Sequence, residues 1–167
     1  MNDSAKKSQD FTLTFSVDQS PQEAFEAIND VRGWWSGDID GSTNELGGEF
    51  TYRFAKVHFT RQKLTELVPG KRVVWLVVDS DLGFVKDTHE WTGTRVIFDL
   101  ARKGDMTEVR FTHEGLVPAL ECYGGCAEGW TTYFRGSLRR LIATGKGRPD
   151  AREKSRNQAK ASASTGA

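Results

Sequence analysis

The 167-residue sequence has no apolar run near the roughly 18 residues that a membrane-spanning helix requires, so membrane insertion is excluded from the expectation. It has no surplus of basic charge either. Its 23 Lys and Arg are matched by 23 Asp and Glu, mixed along the chain. Nucleic-acid binding depends on a cationic surface that neutralises phosphates, so that partner class is set aside as well. Two cysteines, Cys122 and Cys126, are too few for a disulfide framework. The opening residues MNDSAKKSQD carry charge with no apolar segment behind them, unlike a secretory signal. The expectation is a cytoplasmic protein with reduced thiols. Motifs that dictate chemistry are also missing: there is no G-x-S-x-G, no phosphate loop, no H-E-x-x-H and no paired-carboxylate signature.

What the sequence does hold is aromatic. Five Trp and ten Phe are a heavy load for one domain of this length, and such side chains fill cores or line pockets for flat, greasy ligands. Phe11, Leu13, Phe15 and Val17 alternate with polar residues as in a half-buried strand. Ser20-Pro21-Gln22-Glu23 then reads as a helix start, with Ala24, Phe25, Ala27 and Ile28 as its apolar face. Asp30 caps a second short helix that runs through Val31 and Trp34-Trp35 to Gly37. From residue 47 the pattern is β, with strands over 50–55, 58–68, 73–78, 95–101 and 108–113. A charged connection covers 79–93. The last element starts near Ala119 and repeats Trp130, Phe134, Leu138, Leu141 and Ile142 at helical spacing until Gly145 and Gly147. Residues 1–9 are expected to be flexible, 10–149 to form the domain, and the polar stretch 150–167 to be disordered.

Strands segregated from helices imply an α+β fold. A curved antiparallel sheet facing one long helix need not close completely, and a cavity is the natural result. Several spaced segments point the same way. Gly33-Trp34-Trp35-Ser36, Leu46-Gly47-Gly48-Glu49-Phe50, Trp91-Thr92-Gly93-Thr94, Thr112 to Pro118 with Glu121-Cys122, Cys126 and Trp130, and Gly145-Lys146-Gly147-Arg148-Pro149 occur in order. Together they resemble the bacterial family named after the activator of Hsp90 ATPase, in the START/Bet v 1-like (SRPBCC) superfamily. The resemblance covers about residues 10–149. It implies a helix-grip fold, in which an antiparallel sheet of about six or seven strands wraps a long C-terminal helix. It also implies a ligand cavity and names no ligand. The eukaryotic co-chaperone resembles this chain only through its C-terminal domain, so an Hsp90 role is not expected.

Strand parity supplies the candidate cavity residues. Phe50, Tyr52 and Phe54 share one face, as do Val96, Phe98 and Leu100, and Val109, Phe111 and His113. Opposite them stand Trp130, Phe134, Leu138 and Leu141 of the helix, and Trp75 joins if Val73, Trp75 and Val77 face inward. Val74, Leu76 and Val78 then form an outward apolar row suited to a homodimer. His113, Cys122 and Cys126 are zinc or copper ligands in kind, yet C-x3-C is not a usual zinc spacing and no fourth ligand is evident, so no metal or other cofactor is assigned. Tyr52, His113, Arg61 or His58 could supply acid–base groups, and a Cys–His pair a nucleophile. With no catalytic motif, the sequence favours binding a small apolar or amphipathic molecule. Turnover of such a molecule, of cyclase or hydrolase type, comes second, and a co-chaperone-like interaction third.

Overall fold

The computed structural model describes residues 9–149. The tail over 150–167 and all but Gln9 of the N-terminal stretch lie outside the described residues. Seven strands form one antiparallel sheet: β1 (Phe11–Val17), β2 (Asp38–Gly41), β3 (Glu49–Phe54), β4 (His58–Val68), β5 (Arg72–Leu82), β6 (Arg95–Lys103) and β7 (Met106–Glu114), in the order β1-β7-β6-β5-β4-β3-β2. Helix α1 (Pro21–Asn29) follows β1. The long C-terminal helix α2 runs unbroken through Tyr123–Trp130, Thr131–Leu138 and Arg139–Thr144, with its middle section π-helical. This is the helix-grip arrangement.

Helix α1 begins as its sequence dictates. Ser20 Oγ accepts the Glu23 N–H at 3.1 Å and the Glu23 carboxylate accepts the Ser20 N–H at 3.1 Å, with Pro21 in the first turn. Its Ala24, Phe25 and Ile28 are buried against the sheet. The second short helix is smaller than the sequence suggests: a single 3₁₀ turn, Val31–Gly33, precedes Trp34. Tertiary bonds explain the early stop. The Trp34 indole N–H donates to the Ile28 carbonyl at 3.1 Å, and the Trp34 carbonyl accepts from Ser137 Oγ at 2.7 Å. Ser137 Oγ also accepts the Arg148 N–H at 2.7 Å, which draws the Gly145-to-Pro149 segment onto Gly33. The approach is so close that a Cβ on Gly147 would strike the Gly33 carbonyl.

Three further features depart from the sequence reading. Strand β2 has one apolar side chain, Ile39, and so carries no alternating signal. Strand β5 continues past Val78 to Leu82, because Ser80 turns inward and shares a 2.7 Å hydrogen bond with Thr92. Helix α2 starts at Tyr123, where the Glu90 carboxylate accepts the N–H groups of Glu121 (3.0 Å) and Cys122 (3.1 Å) just ahead of the first turn. Beyond its π-helical turns the inner face falls on buried Ile142, and Leu141 is only partly buried.

On the convex face, parity holds but the outward row is largely covered. Val74 is fully buried and pairs with Ile97, while Leu76 and Val78 are half-buried. Arg72 bridges Asp99 (2.7 Å) and Glu66 (3.3 Å), and Arg95 grips Glu114 (2.8 Å). The aliphatic stems of such side chains cover apolar surface while their heads stay wet.

Candidate functional site

The space between sheet and helix divides into two parts. Toward β1, β6 and β7 it is solid: Phe15 meets Phe134 at 4.6 Å between ring centroids, Phe111 meets Phe134 at 5.3 Å, and Phe98 meets Phe111 at 5.5 Å. Toward the β3–β4 turn and the start of α2 it opens into a pocket of about 220 Å³.

That pocket is ringed by aromatic side chains. Trp35 lies flat on Tyr52, with centroids 3.8 Å apart and planes 6° apart. Trp130 stacks next to Trp35 at 5.0 Å, and Trp91 next to Trp130 at 5.7 Å. His58 closes the circuit, standing nearly perpendicular to both Trp91 (4.9 Å) and Tyr52 (5.0 Å). All five line the pocket. The floor along α2 carries almost no side chain, since Gly125 and Gly129 face it beside Cys126. A Cβ added at Gly125 would meet no atom within 4 Å. At the mouth stand Val57 and Phe84, 44% and 46% exposed. The turn that carries Val57 contains Ala55, whose φ of 53° is the one positive non-glycine value among the described residues.

The loop over 83–94 holds Trp91 in place through polar ties to the start of α2. Besides the Glu90 contacts, the Lys86 N–H donates to the Glu121 carboxylate at 2.9 Å. His113 anchors the other side. The Trp130 indole N–H donates to His113 Nδ1 at 3.0 Å, which fixes the imidazole as the Nε2–H tautomer. Nε2–H then donates to Thr94 Oγ1 at 2.8 Å, and the Thr94 hydroxyl donates to the Trp91 carbonyl at 2.6 Å. Two members of the aromatic belt are thereby tied to one buried histidine. Burial, with a smaller push from the charge of His58, lowers the His113 pKa to about 3. The imidazole is neutral at pH 7 and both its nitrogens are occupied, so it is not placed to act as a general base.

The Cys122 thiol is no more reactive. Cys122 is held above its ordinary range by its hydrogen bond with Cys126, then by burial and the Glu90 carboxylate, with the Trp91 indole pulling the other way. It stays a thiol at neutral pH. No group of three or more His, Cys, Asp or Glu positioned to hold a metal ion occurs among the described residues.

Of the candidates read from strand and helix parity, Tyr52 and Trp130 line the pocket. Phe50, Phe54, Trp75, Val96, Phe98, Leu100, Val109, Phe111, Phe134 and Leu138 are buried in the core around it, and Leu141 packs at the core's edge. His113 touches the pocket wall only through Trp130 and Trp91. Parity missed Trp35, Trp91, Phe84 and Val57, which sit on irregular segments with no period to read. His58 was accessible to it, since it shares the inward face of β4 with Thr60, Gln62 and Leu64. Gly125 and Gly129 carry no side chain and so leave no apolar signal to read.

Comparison with known proteins gives a consistent picture. A family model described as activator of Hsp90 ATPase homolog 1-like protein matches residues 18–143. No curated protein matches the chain. Among solved structures, the Aha1 dimer from Colwellia psychrerythraea is 26% identical with a TM-score of 0.66, over 83% of this chain and 98% of that one. CalU16 from Micromonospora echinospora is 18% identical with a TM-score of 0.60, over 93% of this chain and 86% of its own. DynU16, a putative protein in the dynemicin biosynthetic locus, is 17% identical with a TM-score of 0.60. The match covers 83% of this chain and 49% of DynU16, about half its length. The last two likenesses speak to the fold alone.

Proposed function

The chain belongs to the activator of Hsp90 ATPase homolog 1-like family, and from its site geometry we propose that it binds a small hydrophobic or amphipathic molecule in the pocket between sheet and helix, in the cytoplasm. The closed belt of five aromatic side chains around open space carries this reading. At about 220 Å³ the pocket exceeds the engineered apolar cavity of roughly 150 Å³ that admits benzene, and falls short of the roughly 300 Å³ where drug-sized sites begin. A molecule of one or two rings fits. No Lys, Arg, Asp or Glu lines the pocket. Stacking covers the faces of Trp35 and Trp130, which leaves little open π-surface for a cation. This lining suits a neutral ligand best. His113 is neutral with both nitrogens bonded and Cys122 is protonated, so neither serves as base or nucleophile.

Titration with naphthalene, read by tryptophan fluorescence, tests the proposal, because Trp35, Trp91 and Trp130 all line the pocket. Wild-type protein should show a saturable change and Gly125→Leu, which fills the open space, should lose it. No saturable change in the wild type, or an unaffected Gly125→Leu variant, would sink the reading. Self-association is a second reading, favoured by the dimeric Aha1 neighbour. A sedimentation run showing only monomer at high concentration removes it.

A further inference from the structure

Behind the aromatic belt lies a group of polar atoms that the pocket alone does not explain. Gln62 is 1% exposed, and neither its Oε1 nor its Nε2 has a hydrogen-bond partner among the described residues. The same holds for Thr60 Oγ1 and Trp75 Nε1, on side chains that are fully buried. Buried polar atoms are normally paired. Several others in this interior are: Ser36 with Tyr52, Ser80 with Thr92, His113 with Trp130 and Thr94, Ser137 with Trp34, whereas Gln19 Oε1 and Asn29 Oδ1, on residues that do not line the pocket, share the lack of a partner.

The three residues are neighbours on one surface. Thr60 and Gln62 are successive inward residues of β4, about 7 Å apart along the strand. Thr60 stands opposite Tyr52 of the pocket wall, and Gln62 stands between Phe50 on one side and Val77 on the other. Trp75 is the next inward residue of β5 beyond Val77, and its ring lies 5.8 Å from that of Trp35, another wall residue. Thr60 and Trp75 thus each neighbour a wall residue, and Gln62 lies one inward position beyond Thr60.

We propose that Gln62, with Thr60 and Trp75, reads the polar end of the ligand, and that this end is a neutral carboxamide-like edge with an acceptor beside a donor. The inference rests on the pocket being a ligand site. A primary amide presents N–H donors next to a carbonyl acceptor, so its complement is another amide, a lactam or an undissociated carboxylic acid, joined by a pair of hydrogen bonds. Thr60 can donate or accept, and Trp75 can only donate. Among the described residues no Asp, Glu, Lys or Arg is buried, so an ionic head beside Gln62 would have no carboxylate, ammonium or guanidinium partner there. The ring of the ligand occupies the belt and its polar end passes the edge of Trp35.

The test compares 2-naphthamide, methyl 2-naphthoate and naphthalene on the full chain, again by tryptophan fluorescence. The ester keeps an acceptor and lacks the donor. Wild-type protein should prefer the amide over naphthalene by about tenfold, the scale of two neutral hydrogen bonds, and over the ester by a few-fold, the scale of one. Gln62→Met, which keeps length and removes both polar atoms, should bring the three probes within about twofold of one another. Thr60→Val provides the same comparison at a second position, with a partial loss expected. Naphthalene binding without preference for the amide overturns this inference and leaves the pocket reading standing, as does a preference that survives Gln62→Met. Failure of all three probes overturns both.

Discussion

The two halves of the grip are built from the same kinds of residue and end up differently. In the half toward β1, β6 and β7, Phe15, Phe98, Phe111 and Phe134 interlock at centroid distances between 4.6 and 5.5 Å. In the half toward the β3–β4 turn, aromatic side chains are just as dense, yet they surround about 220 Å³ of space. The helix makes the difference. Over the solid half it offers Phe134 and Leu138, and over the open half it offers Gly125 and Gly129. Aromatic content does not by itself make a pocket. The pocket exists where the facing element withholds its side chains.

Truncation should separate the halves most sharply. Phe111→Ala empties the packed half, and a buried Phe→Ala change typically costs about 3–5 kcal/mol. Phe84→Ala removes a ring of the same size from the pocket mouth, where it is 46% exposed, and should stay within about 0.5 kcal/mol. Urea denaturation measures both. Equal losses would mean that the mouth is as firmly packed as the core, and the contrast between the halves would collapse.

His113 joins the two halves, and its effect should be intermediate and dependent on pH. Its pKa is about 3 in the folded protein and about 6.5 when unfolded. The unfolded chain therefore binds the proton more readily. The stability that neutral His113 contributes is complete above pH 6.5 and drains away as pH falls toward 3, by up to about 1.4 kcal/mol per pH unit. In His113→Gln that fall should be shallower, measured as the difference between wild-type and variant denaturation midpoints from pH 7 to pH 4. At pH 7 the variant should lose about 1–3 kcal/mol, because the buried Trp130 N–H must find a new acceptor. Parallel curves for the two proteins would show that burial does not hold the imidazole neutral.

The solid half was largely legible in the sequence and the open half was not. Alternation placed Phe98, Leu100, Val109 and Phe111 on one face, because a strand with one buried side records its burial in every second residue. The capping residues of α1 were equally plain. The belt had no such record. Trp35 and Trp91 lie on irregular chain, and their positions depend on tertiary bonds: Ser137 to the Trp34 carbonyl, Thr94 to the Trp91 carbonyl, and Glu90 to the start of α2. No local pattern encodes those. The π-helical turns also hid the change of inner face from Leu141 to Ile142, since the sequence repeats at α-helical spacing. Gly124 and Gly125 have low helix propensity and yet lie in a helix, because propensity is local and the docking of α2 overrides it.

Those two glycines provide the finest test of the comparison. Both are exposed on the first turns of α2, and in both cases an added Cβ would meet no atom within 4 Å. Only Gly125 lines the pocket. Replacing either by alanine should stabilise the helix by a similar amount, up to about 1 kcal/mol, seen as a small rise in the urea midpoint. Their effects on naphthalene binding should differ: Gly125→Ala narrows the pocket and should weaken binding a few-fold, on the order of one methyl group's steric cost, while Gly124→Ala should leave it unchanged. If Gly124→Ala weakens binding equally, what the ligand needs from this turn is backbone freedom and not room. The open half would then differ from the solid half in stiffness, with its missing side chains a consequence of that.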